Sequence, residues 1–148
     1  MEIPIKNQIK LSLLSINENV SFARAASAAF SAQVDLTLTE IDEIKVAVSE
    51  AISNAVIHGY GEFIDKDNYI ELVMNLFQDK LEFIITDYGR GITNVEEAMQ
   101  PSFSSDPERM GLGFVFMDSF MDELEVISEP MQGTTVRMVK MIVPSVEH

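Results

Sequence analysis

Glu40 to His58 is the segment that most limits how this chain can fold. It reads as an apolar helix, opened by Thr39 followed by Asp42 and closed by Gly59 and Gly61. Glu50, Asn54 and His58 lie four residues apart, so they stack on successive turns of one face. Their neighbours Val46, Val48, Ile52, Val56 and Ile57 are apolar. A carboxylate, an amide and an imidazole in that setting face a cavity or a ligand rather than open water, because a polar group stranded in an apolar layer is costly.

Hydrophobic periodicity supplies a sheet for this helix to cover. Ile9 to Ile16 alternates as a strand at the edge of the sheet, and Asn17 is placed to cap a helix running through Phe22, Ala26 and Phe30 to about Gln33. Tyr69 to Phe77 and Leu81 to Asp87 read as a hairpin joined at Gln78-Asp79-Lys80. A second hairpin pairs Leu124 to Ser128 with Thr134 to Val143 across Pro130-Met131-Gln132-Gly133. Between the hairpins come a short helix at Val95 to Met99 and a helix from Gly113 to about Met121. The loop from Gly91 to Gly111, with Pro101, Pro107 and the serine-rich patch at Ser102, Ser104 and Ser105, suits a lid. The sum is an α+β fold: a two-layer α/β sandwich with a mixed, mostly antiparallel sheet and its helices on one face.

At 148 residues, 47% hydrophobic and 23% charged, the chain can bury one core, so residues 1–148 are expected to form a single domain. Apolar runs break well before the ~20 residues that span a bilayer, and no basic-then-apolar leader opens the sequence, so a cytoplasmic protein is expected. The absence of cysteine excludes disulfides and thiol catalysis. A formal net charge of -14 disfavours nucleic acid and anionic membrane as partners, since both demand surplus Lys and Arg, and leaves a basic protein as the more natural one. Any phosphate ligand must be held by backbone N–H groups, a metal and a few local cations against that field.

Three glycine-bearing segments follow the polar stripe: Asp87-Tyr88-Gly89-Arg90-Gly91, Gly111-Leu112-Gly113 and Gly133-Thr134-Thr135. Asp87 ends an apolar strand, where a carboxylate acceptor can take the exocyclic amine of adenine and repel the carbonyl of guanine. Gly89 and Gly91 allow a sharp turn and close approach, though an ordinary turn would use them equally well. Gly111-Leu112-Gly113 opens a helix, whose free N–H groups suit phosphate, with Arg109 just before it as either a phosphate cation or a solvated loop charge. Thr134 can reach a base edge directly or through water. Asn54 carries an oxygen suited to Mg²⁺ or else satisfies a buried backbone group, and Glu50 is a general base or a supporting surface carboxylate. His58 fits a helix cap or a pocket wall better than a chemical role.

In this order the four segments resemble the nucleotide-binding boxes of the GHKL ATPase/kinase superfamily, whose Bergerat-type fold matches the sandwich above. The resemblance narrows to the sporulation anti-sigma-F serine kinases through Ser21-Phe22-Ala23-Arg24, Glu50 through Tyr60, Glu96-Glu97-Ala98 with Gln100-Pro101, Phe120-Met121-Asp122-Glu123 and Gly133-Thr134-Thr135. It covers nearly the whole chain. It implies an ATP-dependent, magnesium-using homodimer that silences a sporulation sigma factor and phosphorylates an anti-anti-sigma protein on serine. The alternative is a nucleotide-responsive sigma-binding module without efficient transfer. By resemblance, Asn54 holds Mg²⁺ and Glu50 is the catalytic base. Asp87, Gly89, Gly91 and Thr134 hold the adenosine half, Arg109, Gly111 and Gly113 hold phosphate, and Arg24 serves partner recognition outside the pocket. Two departures stand out: the lid before Gly111 is shorter than the family pattern, with Asp106 in place of a lysine, and Arg90 replaces a small or apolar residue.

Overall fold

The computed structural model describes residues 4–60, 68–92, 94–99 and 110–142. Their order is β1 (Asn7–Leu14), α1 (Glu18–Ser31), α2 (Leu38–Asn54), a π-helical turn (Ala55–Gly59), β2 (Tyr69–Leu76), β3 (Lys80–Asp87), α3 (Val95–Ala98), α4 (Met110–Phe120), β4 (Glu123–Glu129) and β5 (Gly133–Met141). The strands form one sheet in the order β1-β2-β3-β5-β4, antiparallel at every ladder, with β1 at one edge. Among the described residues no helix is long and apolar enough to cross a membrane.

Alternation along the strands decides which face meets the helices. Ile70, Leu72 and Met74 of β2, Leu81, Phe83 and Ile85 of β3, and Val136 and Met138 of β5 are buried in the core with Ile44, Val48 and Ile52 of α2. Phe30 of α1 meets Phe83 edge-on, with ring centroids 6.5 Å apart. Each such side chain, fully buried, contributes roughly 1.5–3 kcal/mol. The opposite face carries a polar row crossing all five strands: Gln8 Nε2 donates to Asn75 Oδ1, Asn75 Nδ2 to Glu82 Oε1, and Arg137 to both Glu82 and Glu123. That row favours the observed register, since a slip of one residue in any strand would break the bonds that strand makes in it.

Two helix starts differ from expectation. Thr37, not Thr39, caps α2: its extended backbone lets Oγ1 accept from the Glu40 N–H at 3.0 Å, while Glu40 Oε1 accepts from the Thr37 N–H at 3.0 Å. Thr39 already lies inside the first turn, so its side chain cannot reach back. Asn17 occupies the cap position of α1 but has helical backbone angles and makes no side-chain cap bond. Asn19 does the anchoring instead, donating from Nδ2 to the Leu14 carbonyl at 2.8 Å. The single helix expected through His58 is α-helical only to Asn54. Beyond it the π-helical turn is closed by Tyr60 N–H donating to Ala55 O at 3.3 Å.

Candidate functional site

α2 presents Glu50 and Asn54 to the start of α4. Gly113 fits between them because it has no side chain: a Cβ there would lie 3.0 Å from Glu50 Oε2 and 3.2 Å from Asn54 Nδ2. α4 begins at Met110, three residues ahead of the expected Gly113, so Gly111 falls among the first N–H groups, which lack intrahelical acceptors, while Gly113 comes at the end of that first turn. Among the described residues the Asn54 Nδ2 is buried with no hydrogen-bond partner. Amide oxygen and nitrogen exchange places by a half-turn of the side chain, so Asn54 can aim an acceptor into the same space.

Asp87 closes β3, buried beneath the π-helical turn. A Cβ on Gly59 would come within 2.7 Å of its carboxyl carbon. Gly89 N–H donates to Asp87 Oδ1 at 2.9 Å. Burial pushes the Asp87 carboxyl up to about 6, opposed by the backbone N–H groups of Gly89 and Thr134. It is therefore mostly ionised at neutral pH, an acceptor with little water to satisfy it. Asn54, Asp87 and Thr134 line one cleft, with Ile85, Phe114 and Val136 among its apolar walls. Apolar walls beside a buried carboxylate suit a heteroaromatic ring that carries a donor on its edge.

The remaining glycines bring backbone to backbone. Gly91, at φ 73, takes a left-handed conformation, and a Cβ on it would sit 2.0 Å from Glu129 O. Gly89 lies against the Gly59 carbonyl, and Arg90 pins the same region. Its N–H donates to Gly59 O at 2.9 Å, its Nε to His58 O at 2.5 Å, and its carbonyl accepts from Met131 N–H at 2.6 Å. Arg90, where the resemblance leads one to expect a small or apolar residue, thus straps the end of the π-helical turn through its side chain. His58 is buried and lines the cleft, as a wall residue does.

Some contributors were not foreseen. Ser128 Oγ accepts from Ile92 N–H at 2.7 Å and lies 2.9 Å from Thr134 Oγ1, so one hydroxyl orients the loop after Gly91 and the threonine expected at the base edge. Tyr60 Oη donates to Tyr69 O at 2.6 Å and accepts from Tyr88 N–H at 2.9 Å, fixing the end of β3. Neither has a sequence signature, because each acts through the register of β2, β3, β4 and β5. Arg24 stands apart from the cleft on α1, its Nε donating to Ser49 Oγ at 2.7 Å. Arg109, Asp106 and the proposed lid around Pro101 and Pro107 lie outside the described residues.

A magnesium ion fits this donor set. Among the described residues no group of three or more His, Cys, Asp or Glu could hold a metal, so an ion here would rest on the Asn54 oxygen and on oxygens of its ligand. Such a lean site is characteristic of Mg²⁺ bound with phosphates.

Comparison with known proteins agrees with this geometry. Residues 15–140 match the histidine kinase-like ATPase domain. The anti-sigma F factor of Oceanobacillus iheyensis is 44% identical over 140 residues, 93% of this chain and 94% of that protein. The anti-sigma F factor of Bacillus subtilis is 44% identical over 92% of this chain and 93% of its own length. Among solved structures, the RsbU and RsbW domains of a Mycobacterium tuberculosis protein superpose with a TM-score of 0.66 at 18% identity, covering 95% of this chain and 34% of that one. A histidine kinase domain from Erythrobacter litoralis superposes with a TM-score of 0.55 at 19% identity, covering 86% and 60%. At those identities the superpositions speak for the fold, while the full-length relatives speak for the family: this chain belongs to the anti-sigma F factor family, built on a histidine kinase-like ATPase domain.

Proposed function

We propose that the protein binds and inhibits a sporulation sigma factor and, with ATP, phosphorylates an anti-anti-sigma protein on serine. The observation that carries this reading is a cleft lined by Asn54 and the buried Asp87, with Glu50 one helical turn from Asn54 and both side chains close against Gly113. Asp87 takes the adenine amine, and the apolar walls hold the ring. Gly111 and Gly113, with Arg109, receive phosphate at the start of α4. Magnesium, held by Asn54, would neutralise charge on the triphosphate.

Glu50 lies one helical turn from Asn54, beyond the metal ligand, and acts as general base. The partner's serine oxygen attacks the γ-phosphorus, its proton passes to the Glu50 carboxylate, and the bond from the γ-phosphorus to the bridging oxygen breaks, leaving ADP. Two long-lived complexes would then compete for one protein: sigma factor or unphosphorylated antagonist. A homodimer in the cytoplasm is part of this reading.

The test is single-turnover transfer from labelled ATP to the cognate anti-anti-sigma protein, beside a nucleotide titration. Glu50→Gln is nearly isosteric, so it should retain nucleotide and sigma factor while transfer falls ~10²-fold or more. Asn54→Ala should lose Mg-ATP affinity itself. Transfer at the wild-type rate by Glu50→Gln would remove Glu50 as the base. If the wild type transfers nothing, the protein is a nucleotide-responsive sigma-binding module.

A further inference from the structure

Arg24 is the only cation on α1, is exposed, and among the described residues forms no ion pair. Among the described residues its side chain is held by one hydrogen bond, to a buried hydroxyl on the neighbouring helix. Ser49 is 7% exposed, and its Oγ lies 2.6 Å from the Lys45 carbonyl one turn back. A hydroxyl has one proton, and here it is donated to Lys45 O. Toward Arg24 the same oxygen is an acceptor only, and it accepts from Nε at 2.7 Å.

A guanidinium offers a carboxylate two bidentate edges, one made of Nε with an Nη and one made of both Nη groups. With Nε committed to Ser49, the first edge is closed. We infer that Ser49 is the positioning residue of the docking arginine: it fixes the Arg24 guanidinium so that a partner carboxylate is met end-on, through both Nη groups. This rests on the reading of Arg24 as a partner-recognition residue and adds the device that orients it. Ordering that long side chain before the partner arrives removes part of the entropy cost of association. It also sets the docking site one residue from Glu50 along α2, so the recognised carboxylate lies at a fixed place relative to the catalytic helix.

A plain staple between α1 and α2 would show the same contact, and a double-mutant cycle separates the two. The wild-type chain, Ser49→Ala, Arg24→Ala and the double variant are titrated with the purified cognate sigma factor in the presence of Mg-ATP. Thermal unfolding and ATP affinity are followed in parallel. Ser49→Ala should raise the Kd for the sigma factor about three- to tenfold, the range expected for losing one pre-ordered side chain, with ATP affinity unchanged. In the Arg24→Ala background the same change should do nothing. Arg24→Lys, whose ammonium has no fork, should likewise be indifferent to Ser49→Ala. If Arg24→Ala weakens binding and Ser49→Ala does not, or if the two losses simply add, the positioning role is overturned while Arg24 keeps its docking role. If Arg24→Ala itself binds the sigma factor as the wild type does, the docking reading fails first.

Discussion

At the scale of single residues, Asp87 carries an energetic cost that the proposed function puts to use. Its carboxyl is pushed up to about 6 from 3.8 by burial, so below 3.8 both folded and unfolded chains are protonated there, and between these values the folded chain holds the extra proton. Stability carried by this group is therefore complete below 3.8 and is lost as pH rises through about 6. At neutral pH the nucleotide-free protein bears an ionised, poorly hydrated acceptor whose cost is up to about 3 kcal/mol. Asp87→Asn removes that charge, so the nucleotide-free variant should unfold at a temperature equal to or above the wild type at pH 7, with the difference shrinking toward pH 4. Binding should move the other way. Adenosine, which has no phosphate to titrate, should bind the wild type progressively less well as pH falls through about 6, and bind Asp87→Asn poorly at every pH. Calorimetric titration across that range decides it: a flat profile in the wild type, or GTP competing as well as ATP, takes Asp87 out of the base pocket.

At the scale of elements, the site is made where α2 and α4 cross, and Gly113 is the contact. Gly113→Ala tests that crossing. Alanine is the better helix former by about 1 kcal/mol, while its Cβ would stand 3.0 Å from the end of the Glu50 side chain, which is flexible enough to move aside. Stability should thus stay within about 1 kcal/mol of wild type, yet phosphoryl transfer should fall at least tenfold, because Glu50 and Asn54 no longer share one geometry. Loss of the fold instead would mean that the crossing has no room to adjust. The same elements show what the sequence could reveal. Both hairpins, the long helix and the polar stripe were legible because alternation in strands and the helical period are local patterns, and Glu50, Asn54, Asp87, Gly91 and Thr134 sit where those patterns put them. The cap of α2 slipped from Thr39 to Thr37 because either threonine offers the right side chain, and only the extended backbone at Thr37 chooses. The π-helical turn was not legible, since it depends on Gly59 packing over Asp87 from a strand distant in sequence. Ser128, Tyr60 and Lys140 were missed for the same reason. Lys140 is buried in β5 and ties the last carbonyl of α4, at Phe120, and Glu43 of α2 to the sheet, a role that appears only when three elements meet.

At the scale of the whole molecule, a chain of net charge -14 has to attract a nucleotide that is itself strongly negative. On the proposed function, short-range donors at the start of α4 and the metal would provide the attraction, whereas the summed field of the acidic residues opposes it from many directions. These two contributions have different ranges. Salt screens the distant charges first, since the Debye length shrinks from about 30 Å at 0.01 M to about 10 Å at 0.1 M, while contacts inside a partly buried cleft are screened far less. ADP affinity measured without divalent metal should therefore increase by about twofold or more as potassium chloride rises over that range, the reverse of the behaviour of a basic phosphate site. With magnesium present the ligand carries less charge, and the dependence should flatten. Equilibrium titration of ADP at fixed pH, with and without magnesium, gives both curves. An affinity that falls steadily with salt would instead mean that local cations such as Arg109 govern the field felt by the phosphates, and the acidity of the rest of the surface would then be a matter of solubility alone.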